Sequence, residues 1–419
     1  MNDDGFVSRS KTDANSFTRN RKITFKALIV NIMSFSKPGI QVEMDRFFKA
    51  IAESPSSFES VSRSAFTQAR RKLKAEAFIE LARDQLDYFE KHAPYKNSWH
   101  GKRVVAIDGS QLNLPYSEEL ESVFGGVKNQ HTDRLLLAQC SVAFDVCNDL
   151  ILDAAIAPYR TGEQDMAMDH LPYLHPQSDI LIFDRGYPSY PLIHKLMKVG
   201  FEFCFRLSTS WTDAAKLAES DGNDIDWTLK PNKKLGLKRM KAMGLPAQID
   251  GLRLVCIELS NGVKEILATN LTDRKTFPLE TLKELYGMRW GVEEGFKTLK
   301  QVTQLEYFTG RTELAIRQDF HARVFMVNMA SMIASQGMHD EKQNRDKKNI
   351  HPSKLNKTQV LAKLKDFISH LFFDARPMKF IKQMLKLLQQ CFDIVRPNRS
   401  FVRVVTVHRR HKLSHIKGF

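Results

Sequence analysis

Three acids and one stretch of charged residues hold the chemistry that this sequence can do. Asp108 stands in "AIDGSQLNLP", Asp184 in "IFDRGYPSY" and Glu293 in "YGMRWGVEEGFKTLKQ", which runs from Tyr286 to Gln301. Converging carboxylates repel one another unless cations neutralise them. Oxygen ligands with no His or Cys nearby select Mg²⁺, with Mn²⁺ as its substitute, over zinc. Two such ions about 4 Å apart activate a water or a 3′-hydroxyl and stabilise the leaving oxygen in phosphodiester displacement. Each acid alone has a plainer reading, since an Asp before Gly is a common turn former. The joint pattern is what argues for a site.

The stretch around Glu293 adds to it. At about 100° per residue, Tyr286, Arg289, Glu293, Lys297 and Lys300 fall within roughly 80° of one helical arc. Leu285, Met288, Val292, Phe296 and Leu299 fill a neighbouring arc, which is the side to be buried. One reading of the polar arc is a solvated face with i,i+4 pairs, Arg289 with Glu293 and Glu293 with Lys297. The other makes Glu293 a metal ligand, with Arg289, Lys297 and Lys300 gripping phosphates and Tyr286 donating its hydroxyl to the same DNA backbone.

The elements that must position these groups follow from periodicity. From about Phe25 to Tyr95 the apolar spacing is helical. The stretch "SRSAFTQARRKLKAEAF" offers Ser62 or Ser64 as N-cap and concentrates Arg63, Arg70, Arg71, Lys72 and Lys74, a composition suited to DNA contact. From Lys102 the texture becomes strand, strand, strand, helix, strand, helix, strand, then a polar stretch and a final helix. "RVVAIDGSQLNL" reads as a short strand ending on Asp108, "DILIFDRGYPSY" as one ending on Asp184, and Cys147-Asn148-Asp149 as a hairpin turn. Strand ends are where open α/β sheets expose their chemistry.

Charge points to the partner. With 63 Lys and Arg against 48 Asp and Glu, the net charge of +15 calls for a polyanion. A polar start and the lack of any run of about 18 apolar residues argue against a membrane. The five cysteines, an odd number scattered through apolar segments, read as reduced thiols of a cytoplasmic protein. His408, His411 and His415 lie in a segment thick with Arg and Lys, better suited to phosphate than to a metal.

Tyr286-x2-Arg289-x3-Glu293-x6-Lys300, with the contexts of Asp108 and Asp184, resembles the signature of bacterial insertion-sequence DDE transposases. The resemblance runs from about Phe25 to Phe325. It implies an α/β fold with an RNase H-like catalytic core, residues 101–330, carrying a β-rich insertion at about 208–270. A helical DNA-binding domain, 1–100, is expected before it, and a helical region with a basic tail, 331–419, after it, suited to dimerisation and DNA contact. It further implies Asp108, Asp184 and Glu293 as catalytic ligands of two Mg²⁺ ions, and Tyr286, Arg289 and Lys300, joined by Lys297, as contacts to the terminal DNA strand. Arg70 and Arg71 are the DNA contacts expected of the N-terminal helices. The activity implied is cleavage of double-stranded insertion-sequence ends and joining of their 3′ ends to target DNA, by a homodimer acting on bacterial chromosomal or plasmid DNA. In some relatives an insertion-domain Trp stacks on a flipped base, for which Trp211 and Trp227 are the candidates; Trp290 suits packing equally well. The alternatives are a nuclease of the same fold that cuts without joining, and a silent DNA-binding repressor.

Overall fold

The computed structural model describes residues 1–19, 21–34, 39–52, 59–93, 96–129, 132–220, 222–231, 237–258, 262–344, 353–388 and 390–394. Five helices come first: α1 (Asp4–Ser10), α2 (Phe25–Ser34), α3 (Ile40–Ile51), α4 (Arg63–Arg70) and α5 (Glu76–His92). Ser62 caps α4 by accepting from the Ala65 N–H, which satisfies one of the amides left open at a helix start. Helix α5 buries Phe78, Ala82 and Phe89, a helical stripe.

The alternating part follows: β1 (Arg103–Asn113), α6 (Glu118–Phe124), β2 (Gly126–Asn129), β3 (Thr132–Asp145), β4 (Leu150–Pro158), α7 (Glu163–His170), β5 (Asp179–Phe183), α8 (Tyr190–Val199), β6 (Glu202–Leu207), α9 (Thr212–Glu219), β7 (Asp224–Leu229), α10 (Leu237–Ala242), β8 (Ile249–Glu258), β9 (Lys264–Thr269), α11 (Leu279–Gly287) and α12 (Trp290–Lys297). Then come α13 (Glu313–Asn344), β10 (Ser353–Leu355), α14 (Lys357–Phe373), α15 (Pro377–Leu388) and β11 (Phe392–Ile394).

Among the described residues, β1 to β9 form one mixed sheet. Its strands run β4-β3-β1-β5-β6-β9-β8-β7, with β2 pairing along the first part of β3. Strand β3 is antiparallel to β1, whereas β5 and β6 are parallel to it. Strand β5, "DILIF", is buried at all five positions, as a parallel strand covered on both faces must be. Strands β7 to β9, in the stretch expected to be a β-rich insertion, continue the same sheet because β9 pairs antiparallel with β6. The β3–β4 hairpin turns at the expected residues. Asp145 Oδ1 accepts from the Cys147 and Asn148 amides, and Asp149 takes a left-handed φ of 60°.

The chain folds as two compact units. One comprises Pro94–Asn113 and Phe124–Lys297 and holds the sheet. Its core packs Val105, Ile107, Leu181, Phe183 and Phe203 against Ala167, Leu192 and Leu196. The other comprises Met1–Ala93, Leu114–Val123 and the described residues from Thr298 onward. There the N-terminal helices and the C-terminal region, expected as separate domains, share one core: Leu28, Phe47 and Phe78 cluster with Phe325, Val360, Leu364 and Met384. The basic tail from Arg396, with His408, His411 and His415, lies outside the described residues. None of the five cysteines is in a disulfide, and four are buried. Among the described residues no helix is long and apolar enough to cross a membrane.

Candidate active site

Asp108 and Asp184 are neighbours by construction of the sheet. The parallel ladder of β1 with β5 runs from Arg103↔Asp179 to Ile107↔Phe183, and the next residue on each side is one of the two acids. Adjacent strands lie about 4.8 Å apart, so the backbones at 108 and 184 leave the ladder side by side. Asp108 is not the end of its strand, however. Strand β1 continues against β3 from Asp108↔Val142 to Asn113↔Leu137. What ends at Asp108 is the β5 partner, which leaves the acid beside an open ladder position in mid-strand. Its Oδ1 accepts from the Gly109 N–H at 2.9 Å. Burial pushes the Asp108 carboxyl up to about 6; Arg289 opposes the shift, while Glu163 and Asp184 add to it.

Glu293 reaches this place differently from the single long helix expected. Helix α11 stops at Gly287 and α12 starts at Trp290, with Met288 and Arg289 between them, and a π-helical turn spans Thr298–Val302. Helix α12 approaches the sheet closely because it carries glycines there. A Cβ at Gly291 would come within 3.1 Å of Val146, and one at Gly295 within 2.8 Å of the Phe144 ring. The apolar stripe is buried as expected at Leu285, Val292 and Phe296.

The polar arc does not face solvent throughout. The Arg289 side chain is 8% exposed, and its Nη2 donates to Glu293 Oε1 at 2.9 Å. Its Nε is buried without a hydrogen-bond partner. Burial pulls the Arg289 guanidinium down, but Tyr286, Glu293 and Asp184 together hold it above its ordinary value. Tyr286, expected to donate to DNA, is buried instead and donates to Asp184 Oδ1 at 3.2 Å. The structure therefore draws the backbones at Asp108 and Asp184 together and pairs Glu293 with Arg289, whose charge acts on Asp108. Among the described residues no three His, Cys, Asp or Glu side chains close around one point as a finished metal cage. Lys297 is exposed beside Glu294, its Nζ 3.5 Å away. Lys300 belongs to the helical unit, where its Nζ lies 3.7 Å from Glu306.

Two polar groups beside the acids escaped the sequence reading. Glu163 opens α7 and accepts from Gln139 of β3 at 3.1 Å. The Tyr187 hydroxyl is buried, has no hydrogen-bond partner, and feels the charges of Asp108, Glu163 and Asp184. Nothing in the spacing separated them from ordinary helix and loop residues.

Of the tryptophans, Trp227 is buried and its Nε1 donates to Asp213, and Trp211 packs edge-on to it at 6.1 Å. Trp290 is 56% exposed, with the Arg289 guanidinium 5.2 Å from its ring centre.

In the helical unit Arg70 corrects an expectation. It is 5% exposed, and all three of its guanidinium nitrogens are engaged, by Gln318, Thr309, Ala315 and Asp319. A guanidinium so enclosed is a structural tie, not a phosphate contact. Arg71 next to it is exposed. In the same unit a groove of about 1000 Å³ is lined by Arg19, Arg21, Lys22, Lys72 and Gln68.

Residues 99–329 match the family model described as the transposase DDE domain. The transposase InsG for insertion sequence element IS4 of Escherichia coli (strain K12) is 24% identical over 266 residues, 62% of this chain and 58% of that protein. The putative transposase InsZ of the same organism is 29% identical over 177 residues, 41% of this chain and 58% of the relative. The chain thus spans under three fifths of the length of these curated relatives. A cryo-EM structure of the piggyBac transposase synaptic complex with hairpin DNA aligns over 97% of this chain and 86% of its own, with 11% identity and a TM-score of 0.47. With its family match covering more than half of its length, the chain belongs to the transposase DDE domain family.

Proposed function

We propose that this protein is the transposase of an insertion sequence: it binds the element's double-stranded ends, cleaves them, and joins the 3′ ends to target DNA. The observation that carries the reading is the pair Asp108 and Asp184, side by side where the β1–β5 ladder ends, with the Arg289 that pairs with Glu293 acting by its charge on Asp108. The order β4-β3-β1-β5-β6, two antiparallel strands and then parallel ones around β1, supports an RNase H-like core.

The donor set fits a hard divalent cation. Asp108 is a carboxylate made uncomfortable by burial, Asp184 lies beside it, and the Tyr187 hydroxyl is buried with its hydrogen bond unmet. Asp108, Asp184 and Glu293 are the residues to hold Mg²⁺, two ions by the spacing of such centres, with Mn²⁺ as substitute. When bound, the cations supply charge that activates an attacking water or 3′-hydroxyl and stabilises the leaving oxygen.

The chain's own groups do the rest. Tyr286 fixes the orientation of Asp184 through its hydrogen bond. Arg289 neutralises Glu293 and keeps an unspent N–H for a phosphate oxygen, in the planar arrangement suited to that group. Lys297 and Lys300 are proposed to hold flanking phosphates. Arg71, with Arg19, Arg21, Lys22 and Lys72 of the groove, is proposed to grip the DNA backbone through charge. Two copies acting together would bring two element ends into one complex.

The test uses purified protein, Mg²⁺, and a plasmid carrying the DNA that flanks this gene in its own element. Cleavage at the element ends followed by joining to a supercoiled target is expected, with both lost in Asp108→Asn, Asp184→Asn and Glu293→Gln. Cutting without joining would make it a nuclease, and end binding without cutting a repressor.

A further inference from the structure

Glu163 is the acid that the transposase reading leaves without a task. It is exposed to solvent at the start of α7, yet its surroundings fix it in place. Oε1 accepts from Gln139 Nε2 at 3.1 Å, and Gln139 is itself 4% exposed. Gly109, next to Asp108, leaves room for this pair: a Cβ there would stand 3.0 Å from Gln139 Nε2 and 3.0 Å from Glu163 Oε1. The other oxygen, Oε2, lies 3.7 Å from where a Gly186 Cβ would be, two residues beyond Asp184. The following residue, Gln164, donates to the Gly186 carbonyl at 3.2 Å and so ties the start of α7 to the Asp184 loop. Glu163 thus bridges the segments that carry the two acids.

A second observation points into the same space. The Tyr187 hydroxyl is buried, lacks a hydrogen-bond partner, and feels the charges of Asp108, Glu163 and Asp184. A buried hydroxyl normally meets a partner, and one left open within the field of these acids is a position that a ligand can complete.

We infer that Glu163 is a fourth carboxylate of the divalent-cation centre, with Gln139 as its positioning residue. One oxygen is held by Gln139 and the other is free, so the side chain offers a donor in a fixed orientation. Its charge acts on the Asp108 carboxyl. The inference rests on the reading of Asp108 and Asp184 as cation ligands.

The experiment measures Mn²⁺ binding to the full chain without DNA, by titration with electron paramagnetic resonance detection of the free ion. Wild type is compared with Glu163→Gln, Gln139→Leu and Asp108→Asn, each checked for folding by circular dichroism and thermal unfolding in EDTA. Glu163→Gln is expected to weaken Mn²⁺ binding by about tenfold or more, and Gln139→Leu, which leaves the charge but frees the side chain, by less in the same direction. Unfolding of the Glu163 and Gln139 variants in EDTA should stay near wild type, which separates a role toward the cation from one in packing. Should Glu163→Gln fail to fold, Glu163→Asp and Gln139→Leu carry the same comparison. Unchanged affinity in the Glu163 and Gln139 variants, with a loss in Asp108→Asn, overturns the inference alone. Unchanged affinity in Asp108→Asn overturns the cation reading and this inference with it.

Discussion

A carboxylate that burial pushes up to about 6 is a liability until something neutralises it, and Asp108 is such a group. In the unfolded chain it releases its proton near the ordinary value of about 4. Between these limits the native state binds more protons than the unfolded one, so stability falls as pH rises from about 4 to 6 and stays lost above. Asp108→Asn removes the titration. In EDTA the variant should match wild type near pH 4 and exceed it by about 1–3 kcal/mol at pH 8, measured by urea unfolding. Equal stability at both pH values would mean that the acid is better solvated than its setting implies. Arg289 makes the second prediction at this scale. Without DNA it is a brace to Glu293, yet its Nε is unspent. A brace tolerates Arg289→Lys, whereas a planar phosphate clamp does not. Single-turnover cleavage by the Lys variant should fall roughly 30- to 150-fold, equivalent to about 2–3 kcal/mol, with thermal unfolding little changed. Near-normal cleavage would leave Arg289 as the brace only.

At the level of elements, the strands and the acids between them were readable because β1, β3, β5 and β6 are bounded apolar runs of the right length. The break between α11 and α12 was not readable. Met288 and Arg289 fit the helical period, and the contacts at this corner are distant in sequence: Tyr286 turns to Asp184, 102 residues away. For the same reason Tyr286 was expected at DNA and Glu163 was passed over, since their partners stand on other elements. The glycines of α12 can be tested directly. Gly295→Ala drives a methyl to within 2.8 Å of the Phe144 ring, so helix or ring must shift. A cost of about 1–3 kcal/mol is expected, with a matching loss of cleavage as Glu293 moves away. Adding Phe144→Leu should restore part of both, because the two residues touch and their effects are coupled. If the double variant is simply the sum of the singles, the close approach is not what fixes α12.

On the scale of the whole molecule, a basic sequence invites every Arg to be read as a DNA contact, and Arg70 shows where that fails. Its partner Asp319 is 249 residues away, so the pair was invisible in local composition. The ion pair joins α4 to α13 inside the helical unit, with Asp319 also accepting from the Thr309 amide. Both side chains are almost wholly buried, at 6% and 4% exposure. Removing one partner strands the other charge in a dry site, which costs about 3–5 kcal/mol, far more than an exposed contact. Arg70→Ala should therefore unfold at markedly lower urea concentration. Arg71→Ala should unfold like wild type but bind element ends less tightly, with the log–log salt slope reduced by about one unit if it meets one phosphate. Replacing Arg19 and Arg21 of the groove by Ala should lower that slope further while stability holds. The contrast is the decisive part. If Arg70→Ala keeps full stability and lowers the salt slope instead, the buried tie is wrong and Arg70 returns to the DNA-facing surface; stability loss without a slope change fixes it as the bolt between α4 and α13.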